Sequence, residues 1–318
     1  MTPPRYTFHD YHPTLADLHA EVVAGLSRSP KAIPPKFFYD ARGSELFEAI
    51  CAQPEYYLPD VERALLRSAL GEIREIVGQG RVLIEPGAGS LRKVRWLLPA
   101  LRPGAYVPMD ISREFLRTAA TALTEDHPWL RVHAACADFT TVLPIPEVVP
   151  PVPRLGFFPG SSLGNFDPED ACAFLGRIHE MLGHGGMLLI GVDTRKARSV
   201  LDAAYNDAAG FTARFNLNLL HRIRRELDAD CDPDGFTHRA FYDPAKGRVE
   251  MHLVSRRAQH IRVGSQRFSF GVGETLRTEC SYKYAPGEFL DLARRAGFDE
   301  CRHWIDRAGW FGLYLLAA

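Results

Sequence analysis

The middle of the chain alternates short apolar runs with longer amphipathic segments. The five apolar runs, predicted as strands, are Arg81 to Glu85, Ala105 to Asp110, Leu130 to Asp138, Arg154 to Gly160 and Gly186 to Asp193. Segments with helical periodicity follow Leu91, Ser112 and Pro168. Apolar strands joined by helices are typical of βαβ units, so the pattern predicts a parallel sheet covered by helices on both faces. Residues 301–316 hold two aromatic-rich runs around a short Asp/Gly turn and predict a β-hairpin at the sheet edge.

The regions on either side of this alternation have different patterns. Helices are predicted from Thr14 to Arg28, from Asp40 onward and from Asp60 to Val77, with an extended proline-rich segment at Ser29 to Lys36. Residues 197–227 look helical, whereas residues 248–263 and 275–284 look like strands. We therefore predict two domains, one of residues 60–195 and 285–318 and one of residues 1–59 and 196–284.

Composition excludes several classes of protein. The 318 residues carry a formal net charge of −1, which gives no general electrostatic reason to bind nucleic acid or an anionic membrane. The basic run Arg222 to Arg225 fits a solvated helix face. The six cysteines are scattered without metal-ligand spacing, so no metal is expected. No signal peptide or membrane span is visible, and we expect a cytoplasmic monomer.

A candidate cofactor site follows the first strand. The segment from Glu85 to Ser90 reads EPGAGS, and its glycines would let the backbone approach a ligand closely. Asp110 ends the second strand, where a carboxylate can accept both hydroxyls of a ribose. Asp138 and Phe139 end the third, where they could hold an adenine. A dinucleotide oxidoreductase would show GxGxxG, but Arg92 stands at the third glycine position. The pattern favours S-adenosylmethionine over NAD.

Several longer motifs resemble one enzyme family. They are PPKFFYDARGSELFEAICAQPEYYLPDVE (Pro34 to Glu62), FPGSSLGNF (Phe158 to Phe166), AYNDAAGFTARFNLNLL (Ala204 to Leu220), RVEM (Arg248 to Met251) and LRTECSYKY (Leu276 to Tyr284). In this order they resemble the histidine Nα-methyltransferases of ergothioneine biosynthesis. The resemblance implies a class I, Rossmann-like methyltransferase sheet with a C-terminal β-hairpin, plus an α+β substrate-binding domain. It also implies conversion of L-histidine to its trimethylated betaine, hercynine, with S-adenosylmethionine as cosubstrate.

The resemblance also assigns roles to individual residues. The implied cofactor contacts are Gly87, Lys93, Asp110, Asp138 and Phe139. The implied substrate contacts are Tyr56 and Tyr205 on the carboxylate, Asn165 and Tyr39 on the α-amine, Glu279 and Ser281 on the imidazole, and Met251 beside the side chain.

Each residue type also has a simpler explanation. The three tyrosines could be core residues with satisfied hydroxyls. Asn165 could cap the helix that begins near Pro168. Met251 could be core filler, Lys93 a surface helix residue, and Glu279 a solvent-facing residue on an alternating strand. Glu279 and Ser281 are nevertheless spaced to share one strand face, where they could bind one ring together.

Three functions remain open from the sequence. The first is methyl transfer to the α-amine of histidine. The second is the same reaction on another aromatic amino acid such as tryptophan, since relatives acting on tryptophan share the first motifs. The third is a silent binding protein. The loop GSSLGNF replaces the [DN]PP[YF] signature of methyltransferases that act on planar nitrogen, which favours an sp³ amine.

Overall fold

A computed structural model describes residues 5–11 and 15–318. The described residues form two compact units, one of residues 5–11, 58–195 and 283–318 and one of residues 15–57 and 196–282. Thr14, the first residue of the first predicted helix, lies outside the described residues.

The secondary structure is mixed throughout. The strands are β1 (Tyr6–Asp10), β2 (Lys31–Ala32), β3 (Val82–Pro86), β4 (Ala105–Asp110), β5 (Val132–Cys136), β6 (Arg154–Phe158), β7 (Met187–Asp193), β8 (Phe236–Asp243), β9 (Arg248–Ser255), β10 (Gln259–Val263), β11 (Gln266–Phe270), β12 (Thr275–Tyr282), β13 (Asp299–Ile305) and β14 (Phe311–Ala317). The helices are α1 (Leu15–Ser27), α2 (Ala41–Cys51), α3 (Leu58–Val77), α4 (Val94–Leu101), α5 (Arg113–Asp126), α6 (Pro168–Leu182), α7 (Arg198–Ala204), α8 (Phe211–Glu226) and α9 (Pro286–Arg295).

One eight-stranded sheet forms the first unit. Its order is β1-β5-β4-β3-β6-β7-β14-β13, and the strands from β1 to β7 in that order are parallel. The last two strands run antiparallel as a hairpin beside β7. Every residue of β3, β4 and β5 is buried, as expected for strands covered on both faces. The predicted parallel α/β sheet with a C-terminal hairpin is confirmed.

Helix α3 shows why its segment folds as a helix. Leu65, Leu66, Ala69, Ile73 and Val77 recur at spacings of three or four residues and are all buried. The helix contacts β14 of the large sheet. It begins at Leu58, two residues before the predicted start at Asp60, which lies in the first turn.

Strand β1 corrects the predicted domain boundary. Residues 1–59 were predicted to belong together, but Tyr6–Asp10 pairs in parallel with Val132–Cys136 along its whole length. The described residues 5–11 therefore belong to the large sheet. Strand β1 is only partly buried, and its sequence YTFHD has no continuous apolar run. The sequence therefore did not predict a strand there.

The second unit combines helices with an antiparallel sheet. Its four-stranded sheet has the order β2-β12-β9-β8, and β10 pairs with β11 as a separate hairpin. Asp40 caps α2 by accepting the N–H of Gly43 at 2.7 Å, and α2 contacts α8. Strands β8 and β11 were not predicted. The run of residues 248–263 is two strands, and the segment at Ser29 to Lys36 ends in a 3₁₀ turn from Pro35 to Phe38.

The six cysteines, all within the described part of the chain, form no disulfide bond. Within residues 5–11 and 15–318, no group of three or more His, Cys, Asp or Glu side chains is arranged to hold a metal ion. No helix in that part of the chain is long and apolar enough to cross a membrane.

Candidate active site

The loop after β3 turns sharply at its glycines. Gly87 and Gly89 have φ values of +68° and +55°, in the left-handed region that favours glycine. A Cβ on Gly87 would lie 3.1 Å from Cε1 of Phe139, so a side chain there would press on the ring. The predicted cofactor residues Gly87 and Phe139 are therefore neighbours, although 52 positions apart in sequence (139 − 87).

Asp110 holds this loop from the end of β4. Its Oδ2 accepts the N–H of Gly89 at 2.8 Å, and its Oδ1 accepts the N–H of Ser112 at 2.9 Å. Burial raises the pKa of Asp110, and the backbone N–H groups of Ser112, Gly89 and Ile111 oppose that rise. A carboxylate has about four acceptor positions, so these N–H groups leave acceptor capacity for a ligand hydroxyl. The geometry suits recognition of a ribose diol.

Asp138 and Phe139 follow β5 at the same end of the sheet. Asp138 is buried, and its Oδ1 accepts both the N–H of Thr140 at 3.0 Å and the hydroxyl of the same residue. The ring of Phe139 lies 6.0 Å from the ring of Phe158 and 5.9 Å from that of Phe174. These contacts fix a carboxylate and an aromatic ring beside the glycine loop.

Lys93 is more than a surface helix residue. Its Nζ lies 2.6 Å from Oε2 of Glu62, and Oε1 of that carboxylate accepts the N–H of Gly160 at 2.7 Å. The Glu62 side chain is almost fully buried, so Lys93 supplies the countercharge that such burial requires. Gly160 has φ +80°, and a Cβ there would lie 2.6 Å from the Lys93 ammonium. Lys93 at the start of α4 is thus held, with Glu62, against the segment FPGSSLGNF.

Glu85, the first residue of EPGAGS, is an unusual carboxyl group. Burial raises its pKa from 4.5 to about 8, against the lowering effects of the Tyr106 hydroxyl, which donates to it, and of the Lys93 charge. Glu85 therefore carries its proton over much of the neutral range.

Asn165 does not cap the following helix. The N-cap of α6 is Asp167, and Asn165 ends a 3₁₀ turn from Ser162 to Asn165. Ser161, just before this turn, has φ +66° and accepts the N–H of Asp193 at 2.8 Å. The simpler explanation of Asn165 as a cap is wrong, and the predicted contact with an amine remains a prediction.

The tyrosines of the second unit form one aromatic cluster. Tyr39 meets Phe47 edge-on at 5.7 Å, Phe47 meets Tyr56 at 6.3 Å, and Tyr56 meets Tyr205 at 6.3 Å. Burial is the largest cause that raises the pKa of Tyr56 well above 10.0. The nearby ionisable groups of Tyr205, Cys51, Tyr39 and Glu279 raise it further by charge repulsion. Neutral tyrosine hydroxyls can donate to a carboxylate, and the contact of Tyr56 and Tyr205 with a substrate carboxylate, which the resemblance implied, stays a prediction.

Glu279 and Ser281 lie on the same face of β12 as Met251 on β9. Directly paired residues share a sheet face, and Glu279 pairs with Met251 while Ser281 pairs with Val249. A β-bulge at Thr278 shifts the register between Arg277 and Glu279. Glu279 is 9% exposed and Ser281 4%, so Glu279 is not a solvent-facing residue on a regularly alternating strand.

Some neighbours of these residues were missed from the sequence. Phe47 and Phe215 connect the tyrosines, and Glu62 anchors Lys93. Both phenylalanines lie inside the motifs that resemble the family, on segments with helical periodicity. Their place in those motifs is the signal that could have found them. Glu62 lies on the buried side of α3, four residues after Leu58 and three before Leu65, and a carboxylate at such a position is the signal that could have found it.

The chain resembles known proteins over almost its whole length. The family model described as "Histidine-specific methyltransferase, SAM-dependent" matches residues 18–318. The chain is 40% identical to the histidine N-alpha-methyltransferase of Mycolicibacterium smegmatis and 38% identical to that of Mycobacterium tuberculosis, covering 94% of both chains in each case. It is 31% identical to ergothioneine biosynthesis protein 1 of Neurospora crassa, over 91% of this chain and 33% of that longer protein.

Proposed function

The chain belongs to the histidine-specific, S-adenosylmethionine-dependent methyltransferases, and from this premise we propose that it methylates the α-amine of L-histidine. The proposed product is Nα,Nα,Nα-trimethyl-L-histidine, hercynine, formed through the mono- and dimethylated amino acids. The proposed biological setting is ergothioneine biosynthesis, by analogy with the Neurospora crassa relative.

The buried polar pair on β12 is the observation that carries the proposal. Glu279 and Ser281 share a face with Met251, so a carboxylate, a hydroxyl and an apolar side chain lie together. An imidazole has an N–H for the carboxylate and a second nitrogen for the hydroxyl. A side chain without such groups, as in phenylalanine or leucine, offers this buried carboxylate no hydrogen bond, which disfavours those substrates strongly.

The proposed roles follow the chemistry of an amine nucleophile. Bound S-adenosylmethionine supplies a methyl group on a positive sulfur. The hydroxyls of Tyr56 and Tyr205 hold the substrate carboxylate, while Asn165 and Tyr39 orient the amine lone pair. Asp110, Asp138, Gly87, Phe139 and Lys93 serve the cofactor. The α-amine of model peptides has a pKa near 8, so a minor but usable neutral fraction is expected at neutral pH, and positioning is the main task.

Each methyl transfer can proceed without a strong catalytic base, because the nucleophile is the neutral amine. The amine lone pair forms the new N–C bond as the S–C bond breaks, and S-adenosylhomocysteine leaves with the bonding electrons. The first two transfers also release a proton from nitrogen to solvent. The third transfer produces a quaternary ammonium, and methylation stops there because the nitrogen has no lone pair left.

The experiment is a competition between histidine and tryptophan at equal concentrations, with products identified by mass spectrometry. Wild type should form trimethylhistidine and leave tryptophan largely unmethylated. Glu279→Ala should lower histidine activity by roughly 2 kcal/mol or more, since a hydrogen bond to a charged group is lost. Combined with Met251→Val, it should raise relative activity on tryptophan.

The matched control is Glu274→Ala, which removes a 40%-exposed carboxylate from the residue just before β12. This control variant should leave the ratio of histidine product to tryptophan product unchanged. If wild type prefers tryptophan, or if Glu279→Ala does not change the ratio, the alternative substrate class takes the place of histidine.

A further inference from the structure

Three polar side chains outside the proposed contacts form a hydrogen-bonded chain through the second unit. Thr278 occupies the bulge of β12 and is 1% exposed, and Asn216 on α8 is fully buried. The Thr278 hydroxyl lies 2.7 Å from Oδ1 of Asn216, with the carbonyl of Met251 also within reach at 3.1 Å. His238 on β8 completes the chain.

Backbone carbonyls fix the direction of every bond in this chain. The carbonyl of His252 can only accept, so the atom of Asn216 that lies 3.1 Å from it is the donor Nδ2. The same Nδ2 lies 2.9 Å from Nδ1 of His238, which must therefore accept. The proton of His238 is then on Nε2, which donates to the carbonyl of Tyr205 at 3.0 Å.

The surroundings of His238 favour this neutral form. Burial lowers the pKa of His238, while the Tyr205 carbonyl and the Asp207 carboxylate oppose the change. Asp207 is itself engaged, since it accepts the N–H groups of Phe211 and Thr212 at 2.7 Å each. A neutral ring with one donor and one acceptor nitrogen matches both of its partners.

The two ends of the chain lie at two different parts of the proposed amino-acid site. Thr278 immediately precedes Glu279, the proposed imidazole contact. Tyr205 is the proposed carboxylate contact, and its ring stands edge-on to Tyr56. We propose that Thr278, Asn216 and His238 are positioning residues that couple the side-chain end of the substrate site to its carboxylate end. This inference rests on the proposed function.

The consequence is that a change at one end should alter binding at the other. A relaxed bulge at Thr278 would release Asn216, then the ring of His238, and then the backbone of Tyr205. Coupling through a buried network is tested by comparing the loss of binding free energy in a double variant with the sum of the losses in the two single variants. Residues in one network give a non-additive result, whereas independent residues give an additive one.

The test is a double-mutant cycle on Thr278→Val and Tyr205→Phe. The readouts are the affinity for L-histidine by calorimetry in the presence of S-adenosylhomocysteine, and KM and kcat for histidine. Each single change should weaken histidine binding by about tenfold, as loss of a buried hydrogen bond would. The double variant should be little weaker than either single variant. KM should change much more than kcat.

Two further variants separate positioning from folding. His238→Gln keeps a donor and an acceptor on the side chain and should retain more histidine affinity than His238→Leu. Thr237→Val, an exposed threonine next to His238, is the matched control and should leave histidine binding unchanged. Thermal unfolding and binding of S-adenosylhomocysteine by each variant report on intact folding.

The outcomes are distinct. Additive losses in the cycle, or equal affinity in His238→Gln and His238→Leu, would overturn the coupling. If Thr278→Val does not fold, the cycle on His238→Leu and Tyr205→Phe decides in its place, by the same criterion. Failure of wild type to bind histidine would instead remove the proposed function itself.

Discussion

Replacing Asp110 tests the cofactor site directly. Its carboxylate oxygens accept the N–H groups of Gly89 and Ser112 at 2.8 and 2.9 Å, and in the proposed role they also accept the ribose hydroxyls. A hydrogen bond to a charged group contributes roughly 1.5–3 kcal/mol, so two ribose bonds amount to roughly 3–6 kcal/mol. Water can replace part of that in Asp110→Ala. We therefore expect affinity for S-adenosylhomocysteine to fall at least tenfold, equivalent to about 1.4 kcal/mol.

The assay is calorimetric titration with S-adenosylhomocysteine, together with thermal unfolding. Asp110→Asn should bind more tightly than Asp110→Ala, since its remaining oxygen can still accept one hydroxyl or one N–H. Asp291→Asn is the matched control, because Asp291 is exposed and its pair with Arg294 contributes little. Undiminished binding by folded Asp110→Ala would refute the assignment of Asp110 to the cofactor.

Three other predictions concern pH and buried charge. If a neutral amine is the nucleophile, kcat/KM for histidine should rise from about pH 6.5 to about 8.5, and a flat profile with methyl transfer rate-limiting would contradict this. Because the folded pKa of Glu85 is raised from 4.5 to about 8, its contribution to stability is lost as pH rises through that interval. Unfolding temperatures of Glu85→Gln, measured without cofactor, should therefore vary less with pH between those values than wild type; parallel curves would contradict the raised pKa. Lys283 and Asp193 form a 2.8 Å ion pair with both side chains fully buried, so Lys283→Met should destabilise by about 3–5 kcal/mol in urea titration. Asp193→Leu in that background should recover much of the loss, and no recovery would show that Lys283 acts through other contacts.

The central sheet could be predicted because its signal is local. Strand β4 has the predicted bounds from Ala105 to Asp110, since a continuous apolar run between turn residues is what a strand buried on both faces requires. The hydrogen bond between Asp110 and Gly89 agrees with the rule that parallel strands end at one edge of the sheet. The contact of Phe139 with Gly87 needed the structure, because it depends on how the ring turns after β5.

The two-residue periodicity of a strand could not predict which face of β12 carries the Glu279 side chain. Read with a period of two, β12 places Leu276, Thr278 and Cys280 on one face and Glu279 on the other. The bulge interrupts this alternation, and the pairing of Glu279 with Met251 depends on β9, a distant segment. The hydrogen bonds of Asn216 and His238 likewise join residues on separate elements, which periodicity along one segment does not detect.

Strand β1 has a practical consequence for producing the protein. It occupies the side of β5 that would otherwise be a free sheet edge, and β5 is buried along its entire length. Removing residues 5–11 would expose a row of unpaired N–H and C=O groups on an apolar strand, which is a template for association between molecules. A shortened gene would therefore yield aggregated material even though it encodes every proposed ligand contact. Purification tags are best added ahead of this strand, through a flexible linker, and not in its place.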